Sequence, residues 1–420
     1  MALGLGCSHG QGQGKLPKEP TPAQAQEASE TAPEAETHKF SQDPATERVG
    51  ITAESIRIGS CSALSGPAQL LGQQTVVGAK AYLHYVNDQG GVHGRQLVLN
   101  TYDDAYNQEL TIGCFNKLVE ENNFTGAFFV GTPTAAKYVL LARARQVPIV
   151  GLFTGAQLLH EPFRPQVVSI RASYYDETRY LVSKMVDQLK MTRIAVIYQD
   201  DAFGASVLQG VKRALKARGL EPVGLGSFQR NTLDVQRAID VVKETSPEAV
   251  VVAGTYAPVA QLLKDAHSQS WAPLFCSISF VGTEALIKAA GKDAEGVVCT
   301  QVVPPPTLRE LPTVALYNDC LKKYFPDQSP NFVSLEGFVD AMVLVEGLKR
   351  AGKDPTRTGF LEALESIQDQ EIGLGSELRL SYGKHDHKGF DSVCGTVIRN
   401  GEAVLLEKDW TKEKLSWSRS

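Results

Sequence analysis

From Ile56 onward, short apolar runs alternate with amphipathic stretches. The runs Ile56–Ala63, Leu97–Tyr102, Gly126–Val130, Pro148–Leu152, Val167–Arg171, Arg193–Tyr198, Ala249–Ala253, Leu274–Ser277 and Gly296–Val302 predict strands. Several, such as AVVVAG and GAFFVG, are continuously apolar, as strands buried on both faces of a parallel sheet are. Helical patterns fill the gaps at Gly72–Asn87, Asn107–Asn122, Thr134–Arg145, Asp176–Leu189, Phe203–Arg218, Leu233–Glu244, Pro258–Ser270 and Ser334–Ala351. Gly219 is placed to stop the helix that ends at Arg218. Strands spaced by helices predict crossover units and a doubly wound α/β fold. The rhythm runs twice, over residues 56–171 and 193–302, which predicts two lobes. Val393–Leu406 departs from it: Asn400-Gly401 sits between two extended runs, the signature of a type I′ β-hairpin.

The 420 residues are 43% hydrophobic and 21% charged, enough to bury sizeable cores. At about 100–200 residues per domain the length suggests two or three domains. The net charge of −5 argues against a general nucleic-acid binder, which needs a basic face. No run of about 18 apolar residues predicts a membrane span.

The start of the chain has a different composition. Small apolar residues, Ala2–Gly6, run into Cys7 and resemble the tail of a bacterial lipoprotein signal, with Gly4 where that pattern has leucine. Cys7 is the expected lipidation site. Ser8–Gly50, rich in Gln, Ala, Glu, Pro and Thr, reads as a linker that cannot offset its ordering entropy by burial. As a flexible coil it would span about 35–40 Å. Cys61, Cys114, Cys276, Cys299, Cys320 and Cys394 contain no C-x-x-C pair, so a structural zinc site is not expected. Most sit inside apolar patterns and read as buried free thiols, although disulfides are permitted outside the cytosol.

Catalytic motifs are sparse. No G-x-G-x-x-G or Walker lysine loop follows a strand, and no G-x-S-x-G occurs. His385 and His387 flank Asp386 without a carboxylate-rich partner and read as a polar surface loop. Asp103-Asp104 and Asp200-Asp201 read as loop or helix-cap acids. No cofactor or metal is expected. The informative places are the carboxyl ends of the strands, where doubly wound sheets bind ligands. Ser65 and Leu71 follow the first strand. Thr132, Pro133 and Thr134 follow Val130, and Phe153, Thr154 and Gly155 follow Leu152. Hydroxyls and free N–H groups at helix starts suit an anion, or serve as plain caps. The second set supplies aromatics: Phe203, Tyr256 beside Thr255, and Phe280 beside Ser279, with Tyr174 where the chain crosses between lobes. Hydroxyls facing aromatics predict a cleft for an amphipathic small molecule.

The stretches SGPAQLLG (65–72), NDQGGVHGRQL (87–97), YDDAYN (102–107), VGTPT (130–134), AGTYAPVAQLLKDA (253–266) and SLEGFVDAMVLVEGLKRAG (334–352), in this order, carry a resemblance. The chain resembles the type I periplasmic solute-binding proteins of the branched-chain amino-acid family that feeds ABC importers, over about residues 54–410. The resemblance implies two Rossmann-like lobes joined by a three-crossing hinge, 51–173 with 303–385 and 174–302 with 386–417, closing on ligand. It implies a non-enzymatic, extracytoplasmic receptor, lipid-anchored through Cys7, that delivers a small polar or amphipathic solute to membrane permease subunits. The solute would be an amino acid, an amide or an organic or aromatic acid. A ligand-sensing regulatory receptor of the same fold is the alternative.

By the same resemblance Thr132 and Thr134 hold a ligand carboxylate and Phe153, Thr154 and Gly155 form a second anchoring loop. Leu71, Phe203, Tyr256 and Phe332 line the side-chain pocket. Three departures stand out. The family's second-loop threonine falls on Gly155. Its ammonium-pairing acid falls on Ser279, which is expected to disfavour an α-ammonium unless Asp200, Asp201 or Glu177 reaches in. The cysteines of a disulfide found in some relatives fall on Tyr106 and Thr132, so that bridge is missing.

Overall fold

The computed structural model describes residues 44–411 and Leu415, all within the compact unit His38–Ser420. Cys7 and the greater part of the predicted linker lie outside the described residues. The predicted linker overruns at its end. A helical turn spans Pro44–Glu47, and buried Glu47 accepts hydrogen bonds from the Thr358 N–H (2.9 Å) and hydroxyl (3.2 Å). The folded body therefore begins before Gly50.

Its first half runs β1 (Ser55–Ser62), α1 (Gln69–Asp88), β2 (Gln96–Asp103), α2 (Thr111–Glu120), β3 (Thr125–Ala127), α3 (Thr132–Arg145), β4 (Ile149–Val150) and β5 (Val167–Val168). These strands form one all-parallel sheet in the order β2-β1-β3-β4-β5. The chain then crosses through α4 (Tyr174–Val182) into β6 (Ile194–Gln199), α5 (Ala202–Lys216), β7 (Leu225–Phe228), α6 (Gln236–Glu244), β8 (Ala249–Ala253), α7 (Tyr256–Ser268), β9 (Leu274–Ser277), α8 (Thr283–Ala290) and β10 (Val298–Gln301). It returns to the first body for α9 (Pro312–Tyr324), α10 (Phe332–Arg350), α11 (Arg357–Glu365) and the short pair β11 (Gln370–Glu371) and β12 (Arg379–Leu380). A last crossing delivers β13 (Cys394–Arg399) and β14 (Glu402–Leu405) as a hairpin on the edge of the second sheet, order β14-β13-β10-β9-β8-β6-β7.

Both sheets share one winding: β7-β6-β8-β9-β10 repeats the order of β2-β1-β3-β4-β5. In each, the strand order reverses beside the first strand, which opens a crevice at the strands' carboxyl ends. The predicted hairpin is present, with Asn400 and Gly401 at φ 51° and 75°. The strand expected to reach Val130 stops at Ala127, because Phe128 takes a left-handed φ of 60° and breaks the ladder.

The cores hold two corrections. Cys61 and Cys114 are not free thiols: they form a disulfide, Cα atoms 6.0 Å apart, that ties β1 to α2. Cys276, Cys299 and Cys320 are buried free thiols and Cys394 is half-buried. His387 is not on a surface loop. It is buried, its ring nitrogens 3.1 Å from the Val167 carbonyl and 3.1 Å from Glu365. The acidic pairs do serve caps and loops: Asp103 accepts from the N–H groups of Leu64, Ser65 and Ala105, and Asp201 from those of Phe203 and Gly204.

Helices α1 and α10 touch backbone to backbone. A Cβ on Gly78 would lie 1.7 Å from the Ser334 carbonyl oxygen, and one on Gly337 2.2 Å from that of Thr75. Neither contact can yield without separating the helices. Gly78→Ala is expected to cost at least the usual 1–3 kcal/mol of overpacking. Urea unfolding checks this; an unchanged midpoint would mean that the helices are not in contact.

Candidate ligand-binding cleft

The carboxyl ends of β3 and β4 carry the hydroxyl side of the site. Gly131, φ 94°, caps α3 at a point where any Cβ would strike the Tyr106 ring at 2.1 Å, so glycine is required there. The next residue, Thr132, is fully buried and hydrogen-bonds Thr154 at 2.7 Å; Thr154 in turn meets the Tyr174 hydroxyl at 3.1 Å. Burial pushes the Tyr174 hydroxyl up to about 12, so it stays protonated near neutral pH. Thr134 is buried but donates to the carbonyls of Val130 (2.6 Å) and Gly131 (3.0 Å), so its hydroxyl is committed to its own helix start.

The second sheet supplies the aromatic wall. Phe280, in the turn after β9, is fully buried, with ring centroids 4.6 Å from Phe203, 5.6 Å from Phe153, 6.3 Å from Tyr106 and 6.4 Å from Tyr174. It thus inserts between residues of both lobes. Gln199, at the end of β6, donates to the Tyr106 hydroxyl across the same seam at 3.3 Å.

Sequence reasoning missed the centre of this arrangement. Arg171, placed at the end of a predicted strand and given no role, is 1% exposed. Its guanidinium lies 5.3 Å over the Phe153 ring and 5.7 Å over that of Tyr174. It donates to Glu336 (3.1 Å), to Glu177 (3.0 Å) and to the Ser279 hydroxyl, while its Nε is buried with no partner among the described residues. Glu177 also accepts from the Ser279 N–H (2.9 Å), the Ser279 hydroxyl (3.0 Å) and the Thr300 hydroxyl. Burial works against the arginine's charge, but Glu336 and Glu177 outweigh it and hold the guanidinium protonated. The Glu336 carboxyl is pushed up by burial, against the pull of Arg171. Burial, then Glu336, lifts Asp340 one turn further along α10 well above the carboxylate range.

The other expected site residues divide. Leu71 and Pro133 are buried in the first turns of α1 and α3, Gly155 in the loop after β4 and Thr255 as the cap residue of α7, and Tyr256 is 8% exposed. Ser65 is exposed, and Phe332 packs into the core of the first lobe. The Phe332 N–H instead reaches across to Glu284 of α8 at 3.1 Å.

Burial raises the Glu284 carboxyl to about 7, from 4.5. It therefore binds its proton more tightly folded than unfolded. Its share of stability, up to about 3 kcal/mol, is complete below about pH 4.5 and lost as pH rises through 7. Thermal unfolding across pH 4–8 should show this slope, reduced in Glu284→Gln; an equal slope in the variant would assign it elsewhere.

Comparison with known proteins gives a consistent result. The family model described as periplasmic binding protein matches residues 55–393. A Leu/Ile/Val-binding protein homolog 7 of Brucella suis is 25% identical over 376 residues, 84% of this chain and 92% of the relative. Among solved structures, a possible leucine/isoleucine/valine-binding protein from Rhodopirellula baltica superposes with a TM-score of 0.81 at 31% identity, covering 84% of this chain and 97% of that one. A substrate-binding periplasmic protein from Ralstonia solanacearum gives 0.78 at 28% identity, covering 84% and 100%.

Proposed function

This chain belongs to the periplasmic binding protein family, and we propose that it captures a small polar or amphipathic solute between its lobes and hands it to the membrane subunits of an ABC importer. Its relatives bind solutes rather than transform them. One observation carries the reading: Thr132, Thr154, Phe153 and Tyr106 of one lobe meet Phe280 and Phe203 of the other in a single buried cluster at the strands' carboxyl ends. A solute held there touches both lobes, so binding favours the closed form. The relatives' names put leucine, isoleucine and valine, with carboxylates of the same carbon skeletons, on the panel to be tested.

The reading places the protein outside the cytoplasm, where a disulfide such as Cys61–Cys114 persists. It includes a lipid on Cys7, supported by the small apolar run before it and tested by mass spectrometry of membrane-extracted protein. Calorimetric titration with a solute panel, with small-angle scattering at saturation, tests the capture step. Expected are binding and a smaller radius of gyration; tight binding with an unchanged radius would overturn hinge closure.

A further inference from the structure

Donors and acceptors around the aromatic cluster are unequally committed. The two carboxylates that border it, Glu177 and Glu336, both already take Arg171, and Glu177 accepts from Ser279 and Thr300 besides. Asp340, one turn further along α10, has its Oδ2 buried with no partner among the described residues, and burial and Glu336 push its carboxyl well above the ordinary range, which favours the uncharged acid. A second cation brought here would have to share carboxylates already bonded to Arg171 and would lie beside its guanidinium, a poorly paired charge in a buried place.

Donors, by contrast, are spare. Arg171 Nε is buried and has no partner among the described residues, on a guanidinium stacked over Phe153 and Tyr174. Among the described residues, the side-chain hydrogen bonds of the Thr132, Thr154 and Tyr174 hydroxyls run only within their own chain of three, with no carboxylate or carbonyl as a fixed acceptor. Hydroxyl protons rotate to suit an incoming group.

We infer that Arg171 sets the specificity of the cleft, selecting a carboxylate whose neighbouring carbon carries an acceptor oxygen or nothing, and excluding the matching α-ammonium compound. This rests on the solute-binding reading above and names the class of solute. The carboxylate takes the hydroxyl trio, an oxo or hydroxyl oxygen takes the Arg171 N–H, and the apolar body lies on Phe203 and Phe280. Charge-assisted bonds of this kind are roughly twice as strong as neutral ones.

The test titrates the full chain with matched pairs: 4-methyl-2-oxopentanoate against leucine, and 3-phenyl-2-oxopropanoate against phenylalanine. In at least one pair the oxo acid is expected to bind at least tenfold tighter. Arg171→Lys keeps the charge beside Glu177 but removes the Nε donor, and should lose that preference. Amino acids binding as tightly as their oxo partners would overturn the inference while leaving solute capture intact. So would failure of every 2-oxo, 2-hydroxy and aryl carboxylate to bind while another solute does. Solute capture itself fails only if no member of a charged and neutral panel binds.

Discussion

Glu177→Ala is expected to lower folding stability by about 3–5 kcal/mol, the usual cost of stranding one partner of a buried ion pair. Arg171 would keep Glu336 as its one ion-pair partner, with the Ser279 hydroxyl, while the Ser279 N–H and the Thr300 hydroxyl would lose their acceptor. Both charged side chains are 1% exposed or less, so solvent cannot replace what is removed. Denaturant unfolding at pH 7 reads the loss. A midpoint within about 0.5 kcal/mol of the parent, the range of ordinary surface substitutions, would show that the pair is not desolvated. Because Glu177 lies on α4, just past the first crossing, the same variant reports on how firmly the crossing is anchored.

Opening the Cys61–Cys114 bridge is the second large effect. The bonded residues are 53 positions apart, and the entropy returned to the unfolded chain corresponds to about 4 kcal/mol. The double serine variant should therefore unfold at markedly lower urea, and dithiothreitol should shift the parent in the same direction while leaving the variant unmoved. A parent indifferent to reductant, with the thiols counted as free, would rule the bridge out.

The parts of this fold that were legible in the sequence are those with strong local signals. Continuous apolar runs such as Ala249–Ala253 became strands buried on every residue. Asn400-Gly401 marked its turn through two positive φ angles. Elements with weak signals were passed over. β7 is an edge strand with alternate residues exposed and a glycine inside it, and α11 has only nine residues. The site divides in the same way. Phe280 and Thr132 stand at loops that any doubly wound sheet turns toward its crevice. Arg171 carried no comparable signal, since its meaning comes from Glu336, 165 positions away. Cys61 and Cys114 were equally opaque, because six cysteines allow fifteen pairings and only the packing of α2 on β1 selects this one. Ser279 carries no charge of its own, but its neighbour Glu177 brings one to the same spot, where it already pairs with Arg171.

The return of the chain to its first lobe governs the order in which that lobe can be completed. The Thr358 N–H that Glu47 caps lies 311 positions later, and Arg357 holds the carbonyls of Asn123 and Phe124 from 234 and 233 positions away. The α1 face that carries Gly78 has no partner until α10 has been made. During synthesis the first lobe therefore stays unfinished while the second has all but its edge hairpin. Contacts of such long range slow folding. A nascent chain that cannot close its first core keeps its apolar faces open for a long interval, in a state that a translocation channel can thread and a holding chaperone can grip.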